Sequence, residues 1–144
     1  MALCYVVAVD GSDGGIKAAK YALEKAALAS AELKIIHVLQ WSPYSFLTPE
    51  ELAERHKRRG EELQRAQTAI CQPIVRALGN TSVPISTEVR YGNISEVITK
   101  YCTEVKAAEV FVGRHGGSHL ATRMFGSVPG TLIQISDIPV TVVP

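Results

Sequence analysis

The chain lacks a long hydrophobic run: no stretch approaches the ~20 consecutive apolar residues of a membrane-spanning helix. It also lacks an excess of either charge, with 15 Lys and Arg against 14 Asp and Glu and a net charge of +1. No chain-wide field is therefore available to hold a nucleic acid or an anionic membrane. Its opening, MALCYVVAVDGS, has neither a basic leader region nor a cleavage site, which predicts a cytoplasmic protein. Cysteine is scarce: Cys4, Cys71 and Cys102 are an odd number without CxxC spacing. That excludes a disulfide framework and predicts buried, reduced thiols. Also missing are a Walker lysine in a GKS or GKT context, a supported Ser-His-Asp set and paired carboxylates near the glycine-rich segment.

What is present describes one globular domain spanning residues 1–144, with 47% apolar and 20% charged residues. A chain of this length buries about two thirds of the surface that it exposes when unfolded. Residues 3–9 (LCYVVAV) form a continuous branched apolar run ending in Asp10-Gly11-Ser12, the pattern of a central strand covered on both faces. Over residues 16–30, Ile16, Ala19, Leu23, Ala26 and Ala27 recur at helical spacing. Residues 33–39 (LKIIHVL) read as a second strand. Thr48, Pro49 and Glu51 supply an N-cap, a first-turn proline and a capping-box partner for a long helix to about Leu78, which Pro73 is placed to kink.

Residues 83–91 alternate, with Ile85, Thr87, Val89 and Tyr91 against Ser86, Glu88 and Arg90, as in an edge strand with one wet face; Pro84 suits an edge. Asn93 caps a helix with the stripe Ile94, Val97, Ile98, Tyr101 and Val105, followed by a strand over residues 109–112. A last helix over residues 127–136 and a strand over residues 140–143 complete five strands alternating with four helices. This specifies an α/β fold, a doubly wound, mainly parallel sheet with helices on both faces. Ligands bind such sheets beyond the carboxyl ends of the strands, where the strand order reverses. Because glycine-bearing loops follow the first and fourth strands, these two are expected to be neighbours at that point.

The segment with most chemistry is Gly113-Arg114-His115-Gly116, then nine residues, then Gly126-Ser127 at the start of the last helix. Glycines admit phosphate oxygens close to backbone amides, and a helix N-terminus adds unpaired N–H groups. An ordinary turn is the alternative. The Gly-x2-Gly-x9-Gly-Ser pattern, with Val-Ala-Val-Asp-Gly-Ser closing the first strand and Ile-Pro-Val-Thr-Val-Val near the end, resembles the universal stress protein family over essentially the whole chain. Within that family the intact glycine spacing resembles the ATP-binding branch.

The resemblance implies the strand order 3-2-1-4-5 and an adenine nucleotide, ATP with Mg2+, as ligand. It implies that Ala8, Val9 and Asp10 line the adenosine pocket and that Val38 forms a wall for adenine. Gly113, His115 and Gly116 would approach the ribose and phosphates, with Gly126, Ser127 and Val128 on the phosphate oxygens. Pro129 departs from the family pattern, where Ser or Thr is frequent, and removes a hydroxyl and an N–H. The resemblance also implies a homodimer through the last strand, which is in any case an open apolar edge.

Alternatives stand beside these roles. Asp10 either caps the first helix or holds a ligand or a magnesium ion. His115 is either a ligand contact or a solvated loop residue. Trp41, Tyr44 and Phe46 either close the pocket or pack beneath the long helix. Arg114 and Arg123 bracket the glycine motif and either face phosphate or solvent. The basic run Arg55 to Arg59 shares its helix with Glu50, Glu51, Glu54, Glu61 and Glu62 at spacings that pair opposite charges, the sign of a solvated face rather than a nucleic-acid site. Together these features predict a nucleotide-dependent stress-response regulator acting with an unidentified protein partner, with slow ATP hydrolysis or autophosphorylation at most. The rival readings are an ATPase or phosphotransferase and a nucleotide-free interaction module.

Overall fold

A computed structural model describes residues 3–40, 48–114 and 128–144. The strands β1 (Cys4–Ala8), β2 (Glu32–Gln40), β3 (Ile85–Gly92), β4 (Glu109–Gly113) and β5 (Val140–Val143) form one sheet in the order β3-β2-β1-β4-β5. All four neighbouring pairs are parallel. The helices are α1 (Asp13–Ala29), α2 (Pro49–Ala66), α3 (Gln72–Leu78), α4 (Ile94–Glu104) and α5 (Val128–Ile135). The order 3-2-1-4-5 is the expected one, with β1 and β4 adjacent where it reverses.

Alternation along the central strands divides the core. Val6, Ala8, Ile36, Val38, Val110 and Val112 pack beneath α4 and α5 against Ile98, Tyr101, Cys102 and Leu132. Val7, Val9, Leu33, Ile35 and Phe111 face the other way, under α1 and α3. Both faces of β1 and β4 are thus dry, which is why their sequences are unbroken apolar runs. β3, at the edge, is only half-buried along most of its length.

Helix α1 starts earlier than its apolar pattern: Ser12 is the N-cap, its side chain accepting from the Gly15 N–H, and Asp13 is the first helical residue. Ala18, Ala19, Ala22 and Ala26 are fully buried, whereas Ala27, expected in the stripe, is exposed. The 18, 22, 26 row sets the face, because alanines four apart let the helix lie close to the sheet.

Helix α2 has the expected capping box between Thr48 and Glu51. Where a kink at Pro73 was expected, the structure has a π-turn over Gln67–Cys71 just before it, in which the Gln72 N–H reaches the Gln67 carbonyl. Proline has no N–H to continue an α ladder, and the widened turn accommodates that break. Gln67 at this turn donates from Nε2 to Thr87 Oγ1, and the Arg59 guanidinium lies 5.0 Å from the centre of the Tyr91 ring. The helix rises about 12 Å between Arg59 and Gln67, matching the ~13 Å of strand between Thr87 and Tyr91. Residues 49–58, about 15 Å of helix, therefore extend past the carboxyl end of β3. Among the described residues no helix is long and apolar enough to cross a membrane.

Candidate functional site

The carboxyl ends of β1 and β4 meet the first turn of α1. A Cβ on Gly113 would stand 2.7 Å from the Gly14 carbonyl oxygen and 2.9 Å from its carbon, so only glycine lets the end of β4 lie this close to α1. Gly113 therefore has a role within the fold, apart from any ligand. The Arg114 N–H continues the ladder onto the Val143 carbonyl at 2.8 Å. On the β1 side, Gly11 has φ +87°, a conformation that costs glycine little, and turns the chain from strand to helix.

Asp10 is exposed at this turn. Its Oδ1 accepts the Ser12 N–H at 3.0 Å and also the Ser12 hydroxyl. Asp10 thus holds the residue that caps α1 rather than capping the helix itself. Asp13 follows in the first turn, so two carboxylates stand at the positive end of the helix dipole.

The sheet separates the residues expected to surround an adenosine. Ala8 and Val38 share one apolar floor with Val112, and Val128, at the start of α5, packs against it. The Val9 side chain lies on the opposite face with α1. Val9 reaches the floor side through its backbone alone, and that backbone is engaged: its N–H donates to the Ile36 carbonyl at 2.9 Å, and its carbonyl accepts from His37 Nδ1 at 2.7 Å. His37 is buried, and no sequence expectation singled it out. The available signal was an imidazole inside the apolar run LKIIHVL, since a buried polar ring requires a partner.

His115, Gly116, Gly126 and Ser127 lie outside the described residues, as do Trp41, Tyr44, Phe46 and Arg123. Among the described residues no group of three or more His, Cys, Asp or Glu side chains comes together as a metal site. Cys4, Cys71 and Cys102 are free and buried. Burial pushes the Cys71 thiol up to about 11 and, with Cys4 nearby, the Cys102 thiol up to about 12. Neither is a thiolate near neutral pH, so neither suits nucleophilic chemistry.

Residues 5–144 match the Universal stress protein family. The chain is 29% identical over 142 residues to Universal stress protein MJ0531 of Methanocaldococcus jannaschii, covering 96% of this chain and 79% of that protein. Its fold is similar to that of UspA from Lactobacillus plantarum, with a TM-score of 0.80 at 22% identity over 99% of this chain and 97% of the other. A universal stress protein solved in complex with cAMP gives a TM-score of 0.65 at 26% identity, over 99% and 97% of the two chains. A family match over nearly the full length, carried by a sheet of the expected order, places this chain in the universal stress protein family.

Proposed function

We propose that the protein binds an adenine nucleotide, ATP with Mg2+, and acts as a nucleotide-dependent regulator in the stress response. The observation that carries this reading is the apolar floor of Ala8, Val38 and Val112, met by Val128, at the carboxyl ends of β1, β2 and β4, where the strand order reverses. Doubly wound sheets bind ligands there, and a flat base suits branched and small apolar side chains. That a relative was solved with cAMP supports an adenine ligand.

In this reading Val38 and Ala8 hold the base, and Val9 contributes a backbone fixed at both its polar groups. Gly113, His115 and Gly116 approach the ribose and phosphates, and Gly126, Ser127 and Val128 take the phosphate oxygens. Bound Mg2+ would neutralise phosphate charge. The residues fit such an ion: Asp10 is exposed beside Asp13 at the α1 N-terminus, where bare phosphates would meet two negative groups, and Mg2+ takes one or two carboxylates with phosphate oxygens and water. Pro129 is buried at the start of α5 and removes one N–H from the phosphate end.

Calorimetry on nucleotide-stripped protein tests the reading. Micromolar binding of Mg-ATP, lost in Gly116→Val, is the expected result; no binding to the wild type overturns it in favour of a nucleotide-free interaction module. Phosphate release faster than about 1 per minute would replace the regulator with an enzyme, since enzymes commonly turn over at about 1–1,000 per second.

The regulator is proposed to work in the cytoplasm as a homodimer that presents its nucleotide state to a protein partner. Carbonyls of Pro139 and Val143 accept from β4, so by alternation the backbone groups of Val140 and Val142 face the open edge. Val142→Pro removes an outward N–H and leaves the β4 bonds in place. Sedimentation is expected to shift from dimer to monomer in this variant; an unchanged dimer places the interface elsewhere.

A further inference from the structure

We propose that His37 is a positioning residue for the nucleotide site, acting through the Val9–Asp10 peptide; the inference rests on the site reading above. The register between β1 and β2 runs from Cys4↔Glu32 to Ala8↔Ile36. Beyond it the Val9 N–H still reaches the Ile36 carbonyl at 2.9 Å. The next link between these strands is made by a side chain, His37 Nδ1 on the Val9 carbonyl at 2.7 Å. A carbonyl oxygen only accepts, so Nδ1 carries the hydrogen and the neutral ring is the Nδ1–H tautomer.

The location gives this bond its consequence. Val9, the residue after β1, is the last buried one before the exposed Asp10, and rotation of the Val9–Asp10 peptide would redirect both the Asp10 carboxylate and the turn that carries Ser12. The Cα of Gly15 closes the other side: a Cβ there would meet Val9 Cβ at 3.3 Å and the Asp10 N at 3.5 Å. The peptide is thus held between an imidazole on β2 and the first turn of α1. His37 is also next in sequence to Val38, whose side chain lies on the opposite face, in the apolar floor. One hydrogen bond therefore fixes the β1 end relative to the β2 end at the residues proposed to flank the base, while the ring stays on the α1 side of the sheet, away from the ligand.

The test combines a measurement on the wild type with two variants. Long-range proton–nitrogen NMR of the full chain reads the ring tautomer directly; hydrogen on Nδ1 supports the inference, and a ring with bare Nδ1 overturns it without any reference to nucleotide. Mg-ATP affinity is then measured by calorimetry on the wild type, His37→Leu and His37→Asn, with thermal midpoints for all three to establish folding. Asn places an amide N–H near the position of Nδ1. His37→Leu is expected to weaken binding about tenfold, the scale of one buried hydrogen bond, and His37→Asn to return to within about threefold of wild type. Equal affinity of wild type and His37→Leu, or an Asn variant as weak as the Leu variant, overturns the inference while leaving the site reading intact. Wild type that binds no adenine nucleotide overturns the site reading itself, and the ligand-positioning role with it, whatever the tautomer.

Discussion

Helices α1 and α2 are close in length, 17 and 18 residues, and are held in opposite ways. Helix α1 buries Gly15 and four alanines against the sheet, whereas Ala66, at its very end, is the one buried residue of α2. The order of α2 rests on two local devices, the Thr48–Glu51 capping box and the Arg58–Glu54 pair at 3.6 Å, and on a half-exposed contact with the sheet edge, Arg59 over Tyr91 of β3. Exposed pairs of this kind contribute a few tenths of a kcal/mol each, so α2 depends on its π-turn and α3 to anchor its far end. The helix that opens at the candidate site is thus the one packed into the core, and the helix that extends past the sheet is the solvated one.

The contrast is broken most severely at the platform beneath α1. Phe111 is fully buried and its ring lies 5.6 Å from Tyr5 and 6.0 Å from Tyr21 of α1, centre to centre. Phe111→Ala is expected to cost about 3–5 kcal/mol in urea unfolding. A loss below about 1 kcal/mol would mean that α1 does not depend on the ring, and the contrast with α2 would then be one of exposure alone.

The same substitution placed on both helices sharpens the comparison. Ala22→Leu inserts a branched side chain at a fully buried position of α1 and is expected to destabilise by about 1–3 kcal/mol. Ala53→Leu, on the exposed part of α2, is expected to stay within about 0.5 kcal/mol of wild type. Similar losses at both sites would show that α2 packs on a surface in solution.

Where the sequence was legible follows the same division. Unbroken apolar runs identified the central strands because burial on both faces leaves no room for polar residues, and the alternation over residues 85–91 identified the edge for the converse reason. Local chemistry at Thr48, Pro49 and Glu51 identified the start of α2, since a capping box is complete within four residues. The α1 face was read only in part: the stripe included the exposed Ala27 and left out Ala18 and Ala22, both fully buried, because apolar spacing alone does not weigh the close approach that a row of alanines permits. The π-turn was visible only as a proline in a helix. At the candidate site, the shared floor of Ala8 and Val38 and the opposite placement of Val9 depend on strand register, and the His37–Val9 bond joins residues 28 apart in sequence. The packing role of Gly113 was not legible, because its steric partner, Gly14, lies on another element. Pairings set by tertiary contact leave little trace in a single sequence.

The smallest expected effect lies at the corner of β3 and α4, which is neither dry like α1 nor fully solvated like α2. Arg90 donates to Glu104 at 2.7 Å, stands 3.9 Å from Glu88 and lies over Tyr101 at 4.8 Å from the ring centre. The hydrogen bond from Arg90 holds the Glu104 carboxyl below its ordinary 4.5. A carboxylate lowered in the folded state adds stability that is present above the unfolded value and is lost as pH falls through the folded one. Urea midpoints of wild type and Glu104→Gln are therefore expected to differ slightly at pH 7, with wild type higher, and to converge as the pH drops below 4.5. Added salt should narrow the difference at pH 7, because both side chains are partly exposed. A gap that persists at low pH would mean that Glu104 acts through packing on α4 rather than through its charge.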